Sequence, residues 1–254
     1  MNKIKLNGIE LAYERRGKGA PLVLIHGYPL DHSIWNDVAA QLENDFDLIL
    51  PDVRGFGDST TIDSPYSLSD IANDLAALLD SLGVDQTALA GHSMGGYIAL
   101  AFAKAFPKRV TGLALVSSQA AKDTPERKEG RYKTAADVAQ KGVQIVADAM
   151  TDKLSPSQTV RDVIRPLIGK QSVTGVAGAL KAMAEREDMT SFLAAFERPL
   201  ILTHGDADEL IPIERAREIK ALVPSAHLLE LVGAGHMPMM EMPVETASAL
   251  RKLK

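Results

Sequence analysis

The chain contains no cysteine among its 254 residues. This absence excludes a disulfide framework, a zinc site built from thiolates and a cysteine nucleophile. We expect neither a metal ion nor an organic cofactor.

Basic patches and long apolar runs are also missing. The formal net charge is −5, and no stripe of lysine and arginine with interleaved aromatic residues is present, so nucleic acid is not an expected partner. No apolar run is long enough to cross a bilayer, and residues 1–17 lack the apolar segment of a signal peptide. We therefore expect no membrane association and a cytoplasmic location.

Short apolar runs and helical patterns alternate along most of the chain. Residues 3–6 and 9–14 flank Asn7-Gly8 and predict an antiparallel hairpin with a type I′ turn. Ser67 and Asp70 resemble a capping box at the start of a helix. Further strands are predicted at residues 21–26, 46–50, 87–90, 110–117, 200–203 and 227–232, with helices at 34–42, 68–82, 213–222 and 243–253. This alternation predicts an α/β fold with a mostly parallel sheet flanked by helices.

The alternation stops between residues 120 and 195, where the sequence is helical and rich in polar residues. Ser155-Pro156 is typical of an N-cap followed by proline at the first helical position, while Gly169 and Gly175 indicate breaks. The segment follows a predicted strand, so it is expected at the carboxyl edge of the sheet, where ligands bind in such folds. We therefore predict a core domain of residues 1–119 and 196–254 with an inserted helical lid, residues 120–195.

Gly91, Ser93 and Gly95 form the pattern G-x-S-x-G between a predicted strand and a helix of small residues. A serine on so sharp a turn has a strained backbone, and its hydroxyl is lifted clear of both elements. The Met94 N–H then points toward any group that Ser93 attacks. Taken alone, the pattern also fits a flexible glycine turn, because glycine and serine are common residues.

A nucleophilic serine needs a base, and that base needs an orienting carboxylate. His236 lies in Gly-Ala-Gly-His between the last strand and the last helix, where the order of such sheets predicts the base; helix capping is the alternative. The candidate acids after the strand at 200–203 are Asp206, Asp208 and Glu209. The other histidines are expected in structural or surface positions: His26 and His92 hydrogen bonded in turns, His204 packed or bonded to the backbone at a strand end, and His32 and His227 at the surface.

These motifs together resemble those of the α/β-hydrolase superfamily. GHSMGG, HGYP, DVRGFGDS, HGDADELIP and GAGHMPMMEMP match its patterns from the first buried strand to the last helix. The resemblance implies an α/β-hydrolase fold with the catalytic triad Ser93, Asp208 and His236. Asp208 matches the acid of G-x-x-D-x-x-x-P, which leaves Asp206 as a turn former and Glu209 in solvent.

The resemblance also implies the rest of the site. The oxyanion hole is expected from the backbone amides of Met94 and Tyr28, with His26-Gly27 shaping the loop that carries Tyr28. Substrate contacts are expected from Tyr28, Met94 and Met237. The alternative for the Tyr28 ring and for Met237 is that these side chains only pack in the core. The resemblance further implies a loop that braces the elbow, the turn of residues 91–95 that carries Ser93; this loop contains Asp52, Arg54, Gly55, Gly57 and Ser59. Four arginines of the lid either meet an anionic substrate or form a solvated helix face: Arg127, Arg131, Arg161 and Arg165.

Ser93 stands where epoxide hydrolases and haloalkane dehalogenases, which share the HGYP turn, have an aspartate nucleophile, so neither activity is expected. The resemblance instead implies a carboxylic ester hydrolase that acts on small acyl esters through an acyl-enzyme. Enol-lactonases and cofactor-free perhydrolases use the same triad, so both activities stay alternatives, as do a small-ligand receptor and a lyase. The expected partner is a small ester or lactone, and the sequence contains no signal for an oligomeric state.

Overall fold

A computed structural model describes residues 1–61 and 63–254. Its strands form one eight-stranded sheet in the order β1-β2-β4-β3-β5-β6-β7-β8. They are Asn2–Leu6 (β1), Ile9–Gly17 (β2), Ala20–Ile25 (β3), Phe46–Pro51 (β4), Thr87–His92 (β5), Val110–Val116 (β6), Leu200–Gly205 (β7) and His227–Leu231 (β8). β2 runs antiparallel to β1 and β4, and the other neighbouring pairs are parallel. The predicted α/β class with a mostly parallel sheet is confirmed.

Helices flank this sheet. They are Asn36–Leu42 (α1), Leu68–Ser81 (α2), Met94–Ala105 (α3), Pro125–Lys141 (α4), Gln144–Leu154 (α5), Gln158–Gly169 (α6), Val173–Ala184 (α7), Thr190–Ala194 (α8), Glu214–Leu222 (α9), Pro238–Glu241 (α10) and Pro243–Leu250 (α11). Short 3₁₀ turns at His32–Trp35, Pro107–Arg109 and Arg251–Leu253 complete the connections. In the part of the chain that the structure describes, no helix is long and apolar enough to cross a membrane.

Local sequence signals account for several of these elements. Asn7 and Gly8 both have positive φ, 50° and 81°, as a type I′ turn requires, and they join β1 to β2. Ser67 and Asp70 form the predicted capping box of α2, with the Asp70 carboxylate accepting from the Ser67 N–H at 2.7 Å. All six residues of β5 are buried, which is the burial expected for a central parallel strand covered on both faces.

The sheet topology determines where a ligand fits. β3 lies between β4 and β5, so the connections that leave β3 and β5 run in opposite directions along the sheet. Crevices at the carboxyl ends of strands beside such a switch point are the usual ligand sites of open α/β sheets. Tyr28 follows β3 and Ser93 follows β5, so both lie at this crevice.

Between β6 and β7 the chain forms the five helices α4 to α8. The predicted helix start at Ser155-Pro156 is wrong, because Ser155 ends α5 and the N-cap of α6 is Ser157, whose side chain accepts from the Val160 N–H. Gly169 ends α6 as predicted, whereas Gly175 lies inside α7. The helix starts later than predicted because α5 extends to Leu154, which makes Ser155 the C-cap of that helix.

The loop of residues 52–59 contacts the helical segment 120–195. Gly55 and Gly175 meet so closely that a Cβ on Gly175 would lie 1.9 Å from the Gly55 oxygen. The Ser172 hydroxyl donates to the Gly55 oxygen at 3.0 Å, and the Gly57 N–H donates to Gln171 Oε1 at 2.9 Å. These contacts connect the loop to the start of α7. The prediction that the loop braces the elbow did not include this connection.

Candidate active site

The turn between β5 and α3 holds Ser93 in a rare backbone conformation, with φ 50° and ψ −113°. Such a conformation is costly for a residue with a side chain and persists where the surroundings impose it. Two glycines make the turn feasible: a Cβ on Gly91 would lie 2.2 Å from Gly95 backbone atoms, and one on Gly95 would lie 2.3 Å from the Ile25 oxygen. The sequence G-x-S-x-G is therefore required by close backbone packing and is more than a flexible turn.

His236 and Asp208 are brought together from the loops after β8 and β7. His236 Nδ1 lies 2.7 Å from Asp208 Oδ2, and both side chains are almost completely buried. The other carboxylate oxygen accepts from the N–H groups of Leu210 and Ile211 at 2.9 and 3.0 Å. The carboxylate is thus fixed on one side by backbone amides and faces the imidazole with the other.

The electrostatics of this pair define the imidazole tautomer. Burial alone raises the pKa of the Asp208 carboxyl, but the attraction of His236 and hydrogen bonds from His204 and His236 hold that pKa far below its usual value. An ionised carboxylate can only accept, so His236 Nδ1 carries the hydrogen. In the tautomer with the hydrogen on Nδ1, Nε2 is the basic atom of the ring.

His204 contributes to the acid more directly than predicted. Its Nε2 donates to the Ile211 oxygen at 2.7 Å and lies 3.3 Å from Asp208 Oδ2. The hydrogen bond to Ile211 is the backbone contact expected of a strand-end histidine, whereas the proximity to Asp208 depends on how the loop after β7 folds back.

The remaining acids after β7 have other positions. Asp206 is exposed and accepts from the Gly233 N–H at 2.7 Å, which ties the loop after β7 to the loop after β8. Glu209 is exposed. Both positions agree with the expected turn-forming and solvated residues.

His92 has a role that the sequence alone did not reveal. Its Nε2–H donates to the backbone oxygen of His236 at 2.8 Å, and the two rings lie 4.9 Å apart. Burial, followed by the nearby His236, lowers the pKa of His92 well below its usual value, so the ring is a neutral donor. On the other side, the His236 N–H donates to the Leu154 oxygen at the end of α5. The main chain of the histidine is therefore held by both the elbow and the helical segment.

The amide of Tyr28 lies on the loop that follows β3, and the amide of Met94 lies at the start of α3, two residues after β5 ends. Met94 is the first residue of α3, so its N–H has no acceptor within that helix. His26 shapes the loop of Tyr28: its Nδ1–H donates to the Gly27 oxygen at 2.9 Å, and its Nε2 accepts from the Val53 N–H at 3.0 Å. The hydrogen bonds of His26 confirm its predicted structural position.

A small cavity of about 70 Å³ opens at this point. Its walls come from the elbow, the strand-end loops and the helical segment, and they are formed by Tyr28, Ser93, Tyr97, Arg127, Arg131, Met150, Met183, Leu210, Ile211 and His236. Met237 is fully buried beside the start of α10 and is not one of these lining residues. The methionines of the wall are instead Met150 and Met183, which a sequence pattern near His236 could not indicate.

The four arginines of the helical segment divide into two pairs. Arg127 and Arg131 line the cavity, whereas Arg161 binds the Ser155 and Pro156 oxygens and Arg165 pairs with Asp148 at 2.6 Å. The four arginines therefore have two different environments, one pair beside the cavity and one pair bound to other groups of the helical segment.

Among the described residues, Asp31, His32 and Asp52 have donor atoms close enough to share a metal ion. These donors already have partners: Asp31 Oδ2 pairs with the Lys170 ammonium at 2.9 Å, and Asp52 Oδ1 accepts from His32 Nδ1 at 2.7 Å. The cluster is therefore an internal ion-pair network. His32, expected at the surface, is half-buried because of its pairing with Asp52.

Known proteins with a similar sequence or structure share this architecture. A family model described as alpha/beta hydrolase fold matches residues 20–243. A thermophilic esterase from Thermogutta terrifontis, solved with malate bound, has a TM-score of 0.94 and 34% identity, covering 99% of this chain and 97% of that one. The enol-lactonase from Burkholderia xenovorans LB400 has a TM-score of 0.91 at 24% identity and covers 99% of each chain, a likeness of fold.

A curated relative is longer than this chain. The dihydrolipoyllysine-residue acetyltransferase component of the acetoin cleaving system from Pseudomonas putida is 30% identical over 231 residues, which are 88% of this chain and 60% of that protein. The family model spans strands β3 to β8, and the esterase structure superimposes over almost the whole chain. The chain therefore belongs to the alpha/beta hydrolase fold family.

Proposed function

We propose that this protein is a serine carboxylic ester hydrolase that acts on esters of small acyl groups. The observation that carries the proposal is the 2.7 Å contact between His236 Nδ1 and Asp208 Oδ2, on a histidine that lines the same cavity as the strained Ser93. A serine hydroxyl is a poor nucleophile near neutral pH, and a neutral imidazole oriented by a carboxylate is the base that activates it. The esterase that is 34% identical supports the same reaction class.

In this reaction Ser93 Oγ attacks the ester carbonyl carbon, and its proton passes to His236 Nε2. Asp208 stabilises the imidazolium that forms and keeps the ring in the required tautomer. The C–O bond to the alcohol then breaks as His236 returns the proton to the leaving oxygen, which leaves an acyl-serine. Water attacks this ester by the same route in reverse, and the carboxylic acid and the free serine result.

The negative charge on the carbonyl oxygen is stabilised, in this proposal, by the backbone N–H groups of Tyr28 and Met94. One donor of this kind contributes roughly 10²–10³-fold to turnover in serine hydrolases. Met94 is suited to the role because the first amide of a helix is unpaired and lies at the positive end of the helix dipole.

The cavity volume of about 70 Å³ favours short acyl groups. Residues 120–195 form the lid in this proposal, because this segment supplies Arg127, Arg131, Met150 and Met183 to the wall. Two of these side chains, Arg127 and Arg131, are cationic.

The proposal is tested with p-nitrophenyl acetate and p-nitrophenyl butyrate, together with a panel of small lactones. Wild-type protein is expected to hydrolyse the acetate with multiple turnovers, and Ser93→Ala is expected to reduce kcat by at least roughly 10³-fold. Ser248→Ala, which changes an exposed serine on α11, is the matched control and should retain full activity. Hydrolysis that survives in Ser93→Ala, or a single labelling event without turnover, would contradict an esterase.

A further inference from the structure

One carboxylate and three guanidinium groups lie together beside the cavity. The Asp123 side chain is 1% exposed, and its Oδ2 pairs with Arg131 Nε at 2.5 Å and Arg186 Nη1 at 2.7 Å. Arg127 Nε lies 3.4 Å from the other oxygen, Oδ1. Within this cluster the positive charges outnumber the negative charge by two.

Arg186 contacts other groups of the protein. Its guanidinium lies over the Tyr97 ring at 4.4 Å and donates to the oxygens of Met183 and Ala121 as well as to Asp123. It is 9% exposed and does not line the cavity. Asp123 carries one negative charge, and Arg186 is its buried partner. Arg127 and Arg131 are therefore the two cations of the cluster whose charge is not compensated within it.

Arg127 and Arg131 are the surplus cations, and both point toward the reaction site. They are four residues apart on α4, so their side chains leave the helix on one face, and both line the cavity with Ser93 and His236. Arg131 is 13% exposed at its side chain, and among the described residues its second polar contact is the Met183 sulfur, a weak acceptor, at 3.5 Å. A guanidinium has five donors, so this half-buried group retains unused donors beside the cavity.

The Tyr28 hydroxyl supplies an independent observation. Tyr28 is 6% exposed, lines the same cavity, and its Oη is buried with no hydrogen-bond partner among the described residues. Buried hydroxyls are nearly always hydrogen bonded, so this one is a donor without an acceptor, on a residue that lines the cavity. Tyr28, Arg127 and Arg131 therefore bring phenol and guanidinium donors to the lining of one cavity.

We propose that this cavity binds a free carboxylate of the substrate, so that the preferred substrates are esters or lactones that carry a second, ionised carboxyl group. Arg131 and Arg127 bind this carboxylate and the Tyr28 hydroxyl donates to it. The planar guanidinium matches a carboxylate in shape, and hydrogen bonds between ions are about twice as strong as neutral ones. This inference deepens the proposed ester hydrolysis and rests on Ser93 being the nucleophile.

The test compares esters that differ in one charge. Monomethyl and dimethyl esters of succinate, glutarate and adipate are nearly equal in size, and their hydrolysis is followed by proton release at pH 7. O-acetylglycolate and O-acetylglycolamide make the same comparison with the extra group on the alcohol side. In one of the two series, wild-type protein is expected to prefer the anion by about tenfold to hundredfold in kcat/KM.

Three variants assign the preference to residues. Arg131→Gln is expected to reduce the ratio of anionic to neutral kcat/KM by at least about tenfold, and Arg127→Gln and Tyr28→Phe by severalfold each. Arg127 is 42% exposed and its contact with Asp123 is long, so Arg127→Gln keeps the test valid if Arg131→Gln does not fold. Arg165→Gln, on the solvent-facing arginine paired with Asp148, is the matched control and should leave the ratio unchanged.

The outcomes separate the two proposals. Hydrolysis of neutral esters that depends on Ser93 but shows no preference for the anion in either series overturns the carboxylate site alone. A preference for the anion that is the same in all three variants also overturns it. Absence of any ester hydrolysis that depends on Ser93 overturns the proposed esterase function and, with it, this inference.

Discussion

His92 donates a hydrogen bond to the main-chain oxygen of His236 over 2.8 Å and thereby links the residue before Ser93 to the proposed base. The two residues are 144 positions apart in the chain. The hydrogen bond fixes the backbone of His236 and does not involve its ring, so we expect His92 to be a positioning residue.

We expect His92→Phe, which keeps a ring but loses the donor, to lower kcat by about tenfold with little change in KM. His92→Gln carries an amide N–H at similar reach and is expected to recover part of the loss. Steady-state kinetics on a chromogenic acetate ester measures both. If the phenylalanine and glutamine variants have equal kcat, the hydrogen bond does not position His236.

The two aspartates after β7 should differ sharply in their importance for activity. Asp208→Asn places a side-chain amide N–H or oxygen opposite His236 Nδ1 and disfavours the required tautomer, so kcat should fall by on the order of 10³–10⁴-fold. Asp206→Asn keeps an oxygen that accepts from Gly233 and should change kcat by less than about threefold. The ratio of the two kcat values is the measurement, and a larger loss in the Asp206 variant would contradict the assignment of the acid.

The contact between Gly55 and Gly175 predicts opposite effects of two glycine substitutions. A Cβ on Gly175 would lie 1.9 Å from the Gly55 oxygen, so Gly175→Ala must separate α7 from the loop and should cost more than about 2 kcal/mol of unfolding free energy. Gly130 lies in α4 with no heavy atom within 4 Å of an added Cβ, so Gly130→Ala should stabilise by about 0.5–1 kcal/mol. Urea denaturation of the two variants compares the free energies, and equal shifts would exclude a tight contact between loop and helix.

Buried histidines predict how stability depends on pH. Burial lowers the pKa of His26, and burial together with the nearby His236 lowers the pKa of His92. As the pH falls below about 6.5, these two histidines therefore take up protons in the unfolded chain before they do so in the folded protein. Their contribution to stability is complete above the unfolded pKa and is lost as the pH falls toward the folded pKa, by up to about 1.4 kcal/mol per pH unit for each histidine.

His32 has the opposite sign. Burial alone lowers its pKa, but the hydrogen bond and charge of Asp52 outweigh burial and raise it, so its contribution is complete below about pH 6.5 and is lost as the pH rises through the folded pKa. The unfolding free energy should therefore reach a maximum near neutral pH. Urea denaturation between pH 5 and 9 measures it, with His92→Gln expected to flatten the acidic side; a constant stability from pH 5 to 7 would contradict this account.

Local patterns were sufficient for much of the fold and for the candidate residues of the site. Strand and helix periodicity, the Asn7-Gly8 turn and the Ser67 capping box depend on neighbours in sequence, and each prediction agrees with the structure. The strain at Ser93 follows from glycines two positions away on either side. The loop positions of Asp208 and His236 follow from the order of elements in the sheet.

Features that depend on contacts between distant segments could not be read in this way. The hydrogen bond from His92 and the docking of residues 52–59 onto α7 join segments more than 100 residues apart. Which arginines of α4 face the cavity depends on how that helix is rotated against α7, and charge composition carries no information on that rotation. Sequence patterning therefore pointed to the groups that we propose to react, while the contacts that support them required the structure.

Covalent labelling tests the central claim most directly, namely that Ser93 is the nucleophile. Diethyl p-nitrophenyl phosphate transfers a diethylphosphoryl group to an activated serine and releases p-nitrophenol, and peptide mass spectrometry locates the adduct. We predict one adduct per chain, on the peptide that contains Ser93, with esterase activity falling in proportion to labelling and no adduct in Ser93→Ala. Complete inactivation with Ser93 unmodified, or complete labelling with activity retained, would contradict the account.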